Sequence, residues 1–164
     1  VFYTTTCYNI IARINQTNKG ENQMSTALQI AEYVDNMDMF GIESTEIKTA
    51  GLYSVRGENT MLVAEHGDVY EMLESVEAQA VAMLSDAVVV RTAGWASPIA
   101  DDGDEYKGVA PSEHPQRRRV RLLVVAKAGE TASVLRFTDD WANPIFDEGQ
   151  ATGSLADAVQ SLFV

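Results

Sequence analysis

The sequence predicts an α+β fold: an antiparallel sheet of about five strands, with two main helices and a short C-terminal helix on one face. Three observations carry that prediction. Two stretches, 52–64 and 117–138, have hairpin form, each with two β-prone runs flanking a glycine-containing turn. A long amphipathic stretch, Val69–Ser85, leads almost directly into the apolar run Ala87-Val88-Val89-Val90. A helix delivered straight into a buried strand implies helices layered on a sheet.

Composition limits what such a domain does. At 164 residues with 46% hydrophobic and 22% charged content, the chain is long enough to bury a core and unlike a disordered one. No apolar run approaches the roughly 18 residues that a membrane span requires. A formal charge of −12 disfavours direct binding to nucleic acid or anionic membranes. The same acidity leaves a DNA-mimic role as one reading. Cys7 is the lone cysteine, so neither an internal disulfide nor a cysteine-based zinc site is available, and a cytoplasmic setting is expected.

Residues 1–23 read as a translated leader or disordered extension, and 24–164 as the domain. Phe, Tyr, Asn, Ile and Lys fill 11 of the first 23 positions but only 19 of the remaining 141, a switch that suggests a change in base composition. Lys19-Gly20-Glu21 is encodable by a purine-rich ribosome-binding sequence ahead of Met24, which points to a bacterial or phage-type source and to Met24 as the start.

In order from there, Ser25 or Thr26 caps a helix over about Ala27–Met37, with Ala27, Ile30, Ala31, Val34 and Met37 inward and Gln29, Glu32 and Asp35 outward. Leu52–Val55 and Thr60–Ala64 form the first hairpin. Asp68, with Glu71 three residues on, starts the helix Val69–Ser85. Its expected core stripe is Val69, Met72, Leu73, Val76, Ala80, Met83 and Leu84. A strand over 87–92 follows, then a long loop, Ala93–Gln116, holding Trp95. The central hairpin begins with alternating arginines and ends as continuous Val/Leu, so its first strand has a wet end and a doubly covered end. Ser154 with Asp157 caps the terminal helix, which packs Leu155, Val159, Leu162 and Phe163 inward.

Four constellations are candidate sites. His66 and His114 with Glu113 would make a two-histidine, one-carboxylate metal centre if the fold joins them, giving a metal-assisted hydrolase. Ser112 with His114 has the residue types of a nucleophile and base but no nucleophile-elbow context. Asp101–Glu105 is acidic around Gly103 but lacks the calcium-loop register. The fourth is the arginine group. Arg117, Arg118, Arg119 and Arg121, with Arg91 and Arg136, fall on neighbouring predicted strands of a strongly acidic chain, with Trp95 and His114 at the ends of the adjoining loop. Guanidinium forks match carboxylate or phosphate in bidentate fashion, so this group would bind an anion; the competing reading is internal pairing with acidic residues.

The leading expectation is therefore a non-catalytic binding or regulatory module. It would recognise an unknown protein or a small anionic ligand, without a cofactor, and self-association into a homo-oligomer is compatible with it.

Overall fold

The computed structural model describes residues 26–41, 49–98, 102–147 and 154–163, with side chains through Met37 in the first of these. The proposed leader, residues 1–23, lies outside the described residues, as do Ser25 and Asp101. Helix α1 (Ala27–Gly41) comes first. Thr26 caps it through a reciprocal box: its hydroxyl accepts from the Gln29 N–H at 3.2 Å, and Gln29 Oε1 accepts from the Thr26 N–H at 2.9 Å.

Strands β1 (Ala50–Arg56) and β2 (Asn59–His66) form the first hairpin. Their turn uses Gly57 at φ 57°, a conformation that L side chains resist. Asp68 caps α2 (Val69–Glu74), its Oδ1 accepting from the Tyr70 and Glu71 N–H groups at 2.9 and 3.0 Å. The single helix expected over Val69–Ser85 is broken. Ser75 takes ψ 150°, donates to the Met72 carbonyl at 2.6 Å and accepts from the Ala78 N–H at 3.1 Å, so one serine ends α2 and caps α3 (Val76–Met83). The break also reorients the second half. Ala78 and Ala82 enter the core, whereas Val76, Ala80, Met83 and Leu84, expected inside, are exposed.

Strand β3 (Ala87–Ala96) is longer than the sequence suggests, because Ala93–Ala96 continues to pair with Arg118–Arg121. Trp95 is accordingly a strand residue. Strands β4 (Arg118–Lys127), β5 (Glu130–Phe137) and the two-residue β6 (Ile145–Phe146) complete an antiparallel meander, and α4 (Ser154–Gln160) ends in a 3-10 turn, Ser161–Phe163. The sheet order is β2-β1-β3-β4-β5-β6, with every neighbouring pair antiparallel.

The α+β antiparallel architecture matches the expectation, with six strands where about five were expected. The helices, however, occupy both faces rather than one. Val88, Val90, Val124 and Ala126 pack under α2, α3 and α4. Val89, Leu123, Val125 and Val134 pack under α1. Two cores are required because β3 and β4 are apolar at successive positions, and each strand sends alternate side chains to opposite faces. Leu155, Val159, Leu162 and Phe163 pack inward as their spacing predicts. No helix among the described residues is long and apolar enough to cross a membrane.

Candidate functional site

Strand register decides which arginines share a surface. Arg121 pairs with Ala93 on β3 and with Arg136 on β5, while Arg119 pairs with Trp95. These residues, with Arg91, lie on the α1 face of the sheet, because Val89, Leu123 and Val134 at alternating positions on the same strands pack against α1.

The middle of this row is an internal ion cluster. Asp35 on α1, 0% exposed, accepts from Arg121 Nη1 at 2.5 Å and from Arg136 Nη2 at 2.6 Å, and both its oxygens also receive Arg136 Nε. Arg121 is itself 0% exposed. Arg136 Nη1 donates to the Trp141 carbonyl at 2.5 Å, and Arg121 lies 5.8 Å from the Trp141 ring centroid. One carboxylate thus serves two buried guanidinium groups. The expectation that Arg121 and Arg136 face a ligand is corrected: a buried carboxylate already holds their donors. Asp35, expected to face outward, lies four residues after Ala31 and eight after Ala27, which aligns it with the buried stripe of α1.

Arg91 is also engaged within the fold. Its Nη1 donates to the Tyr53 hydroxyl and its Nη2 to Glu65 Oε1, both at 3.1 Å. To reach Glu65 on β2 the guanidinium passes over Gly51 of β1, where an added Cβ would stand 3.1 Å from Nη2. Glycine there keeps the crossing open. Arg118, one residue out of phase, is on the opposite face. It forms a forked pair with Asp139 (Nη2–Oδ1 2.5 Å, Nε–Oδ2 3.0 Å) and lies over the Phe137 ring at 3.7 Å. That hydrogen bond raises the Arg118 pKa and lowers that of Asp139, against a smaller opposing effect of desolvation.

Arg117 and Arg119 differ from all of these. Each guanidinium carbon lies 5.2 Å from the ring centroid of Trp95, which is 41% exposed. Their hydrogen bonds within the protein are long contacts of 3.4 Å to backbone carbonyls, Arg117 to His114 and Arg119 to Gly94. Among the described residues no carboxylate lies within ion-pair distance of either one. No protein-family model, curated protein or solved structure matches this chain.

His114 supports the patch from within. It is buried, its Nδ1 accepts from the Gln116 N–H at 3.0 Å, and its ring lies 4.8 Å from that of Tyr106. It therefore anchors the segment that delivers Arg117 to the sheet, and among the described residues it makes no hydrogen bond to the exposed Ser112. His66 is engaged elsewhere: its Nδ1 accepts from the Asp68 N–H at 3.0 Å and its Nε2 is 3.8 Å from Glu71. Among the described residues, no three histidine, cysteine or acidic side chains converge where a metal ion could be held. The alternative built on His66, His114 and Glu113 has no centre there. Asp102 pairs with Lys107, and Asp104 accepts from the Tyr106 N–H at 2.9 Å, so these members of the acidic string act within their own turns.

Of the residues singled out as binding candidates, the fold thus brings Trp95, Arg117 and Arg119 together at the surface, with His114 beneath. A guanidinium lying against an indole keeps its in-plane N–H donors directed away from the ring, where they can meet a carboxylate or phosphate.

Proposed function

We propose that the protein is a non-catalytic binding module that captures an anionic group, a phosphorylated small molecule or an acidic segment of a partner, through Arg117 and Arg119 around Trp95. The observation that carries the reading is the contrast among the arginines. Arg91, Arg118, Arg121 and Arg136 each have a carboxylate, whereas Arg117 and Arg119 converge on a half-exposed tryptophan without one among the described residues. In a chain of net charge −12, two cations held apart from the carboxylates form the local surface to which an anion is drawn. A cytoplasmic protein of bacterial or phage type, as the lone Cys7 and the Lys19–Met24 stretch suggest, would meet such groups on metabolites and on acidic proteins alike.

The test uses the indole N–H resonances, of which the chain has two, assigned with Trp95→Phe. Titration with inorganic phosphate, then with a phosphoserine peptide and an oligoglutamate peptide at low salt, should shift the Trp95 signal in a saturable way. The double variant Arg117→Ala/Arg119→Ala should abolish that shift while its melting curve stays within a few degrees of the parent. An unmoved Trp95 signal with all three probes, or binding that survives the double variant, would overturn the reading.

A further inference from the structure

The outward side of α3 is apolar where a surface helix is normally polar. Val76 is 77% exposed, Met83 85% and Leu84 65%, and with Ala80 they fall at positions i, i+4, i+7 and i+8, a continuous stripe. The opposite side of the same helix buries Ala78 and Ala82. A helix that is apolar on both sides has two faces to cover, and within the described fold only one is covered. A further exposed apolar side chain lies on the sheet. Met61 pairs with Ser54, whose hydroxyl meets that of Ser85 at 2.7 Å, which puts the exposed Met61 on the same side as the end of α3.

The charge along the helix that carries this stripe has one sign, while Arg56, on the Ser54 side of β1, stands as a cation at the Met61 end. From Gly57 to Val90 the chain contains seven carboxylates and neither lysine nor arginine. Glu74 and Glu77 flank the stripe, are exposed, and meet no basic side chain among the described residues. A second copy laid on this surface would bring Glu74 and Glu77 of both chains together, with Arg56 the one cation among the described residues on that face of the hairpin to offset them. A segment with an apolar stripe edged by lysine or arginine complements both features at once.

We propose that the outward face of α3, extended by Met61, is a docking surface for a cationic amphipathic helix of a partner protein. Helix against helix suits the stripe, since apolar side chains at i, i+4 and i+7 present a ridge that another helix's stripe can straddle. The acidic rim would set orientation and speed encounter, and the Val76–Met83–Leu84 stripe would hold the complex.

The probe is a fluorescein-labelled 18-residue amphipathic Leu/Lys peptide, followed by anisotropy with the full chain, beside a scrambled peptide of identical composition. The amphipathic peptide should bind at least tenfold more tightly than the scrambled one. Amide shift changes on the wild-type chain should be confined to residues 74–86 and Met61. Val76→Ser/Met83→Ser should weaken binding at least tenfold, and Glu74→Gln/Glu77→Gln should weaken it and flatten its salt dependence. Arg117→Ala/Arg119→Ala should leave it unchanged, which separates this surface from the anion site. Equal binding of the scrambled peptide, shift changes elsewhere, or a dimer of the chain alone that Met83→Ser dissolves would each overturn the proposal, the last by showing that a second copy takes the face.

Discussion

Replacing Asp35 by asparagine removes a charge while keeping the shape of the side chain. The carboxylate is fully buried and accepts from both Arg121 and Arg136, which are buried as well. The variant takes the Asp35 carboxylate from two buried guanidinium groups, and the new amide turns an N–H2 donor toward guanidinium donors. Breaking a buried ion pair from one side costs about 3–5 kcal/mol. Against a typical stability of about 5–15 kcal/mol, that is a large share. At roughly 2–4 °C per kcal/mol for a chain of this size, the melting temperature should fall by roughly 6–20 °C. Urea unfolding followed by circular dichroism gives the same quantity as a shift in midpoint at constant slope. A triple variant, Asp35→Leu/Arg121→Met/Arg136→Leu, should recover most of the loss, because an apolar replacement of the whole cluster avoids the desolvation cost. If Asp35→Asn costs less than about 1 kcal/mol, the carboxylate is not what holds these two guanidinium groups in the interior. The division of the arginines into internal and available sets would then fail.

Two further outcomes follow from neighbouring geometry. Gly51→Ala should destabilise by about 1 kcal/mol, because the new methyl presses on Arg91 Nη2 and Leu62 Cδ1 at 3.1 Å each while Tyr53 and Glu65 hold the guanidinium in place; a thermal melt measures it, and the cost should shrink in a Glu65→Ala background that lets Arg91 swing away. For Asp139, the Arg118 hydrogen bond depresses the folded-state pKa, so the pair's stabilisation is present above the ordinary carboxylate range near ~3.9 and is lost as pH falls through the lower folded value; a carboxyl NMR titration should show the Asp139 midpoint rising when Arg118→Ala is introduced, and an unmoved midpoint would contradict the assignment.

Much of the fold is legible where one residue type has one mechanism. Asp68 was readable as a cap because a short carboxylate before an amphipathic run has few other uses, and the Val/Leu portion of β4 because a run apolar at every position needs cover on both sides. The same run held the clue to helices on both faces of the sheet. Less legible were elements fixed by their neighbours. Ala93-Gly94-Trp95-Ala96 has weak β propensity and no alternation, yet it is strand because Arg118–Arg121 pairs with it. Ser75 sits inside a helical periodicity, and whether its hydroxyl stays in a helix or caps a new one depends on packing that periodicity does not encode. Val76, Ala80 and Met83 fit a core stripe by spacing alone, but Ala78 and Ala82, small enough for close approach to the sheet, took the inner side. At the site, the grouping of arginines on adjoining strands could be read, and so could the alternative of internal pairing. Which reading applied to which arginine turned on Asp35, 86 residues from Arg121 and 101 from Arg136.

Those separations bear on the order of events as the chain is made. Helix α1 emerges early but rests on strands that come late, and its buried carboxylate has both of its cations, Arg121 and Arg136, only once residue 136 has been synthesised. Until then the seat of the helix on β4 and β5 is incomplete, so its docking belongs to the end of folding and waits on long-range closure. A truncated chain ending before Arg136 would leave Asp35 with one of its two partners and the seat of α1 unfinished.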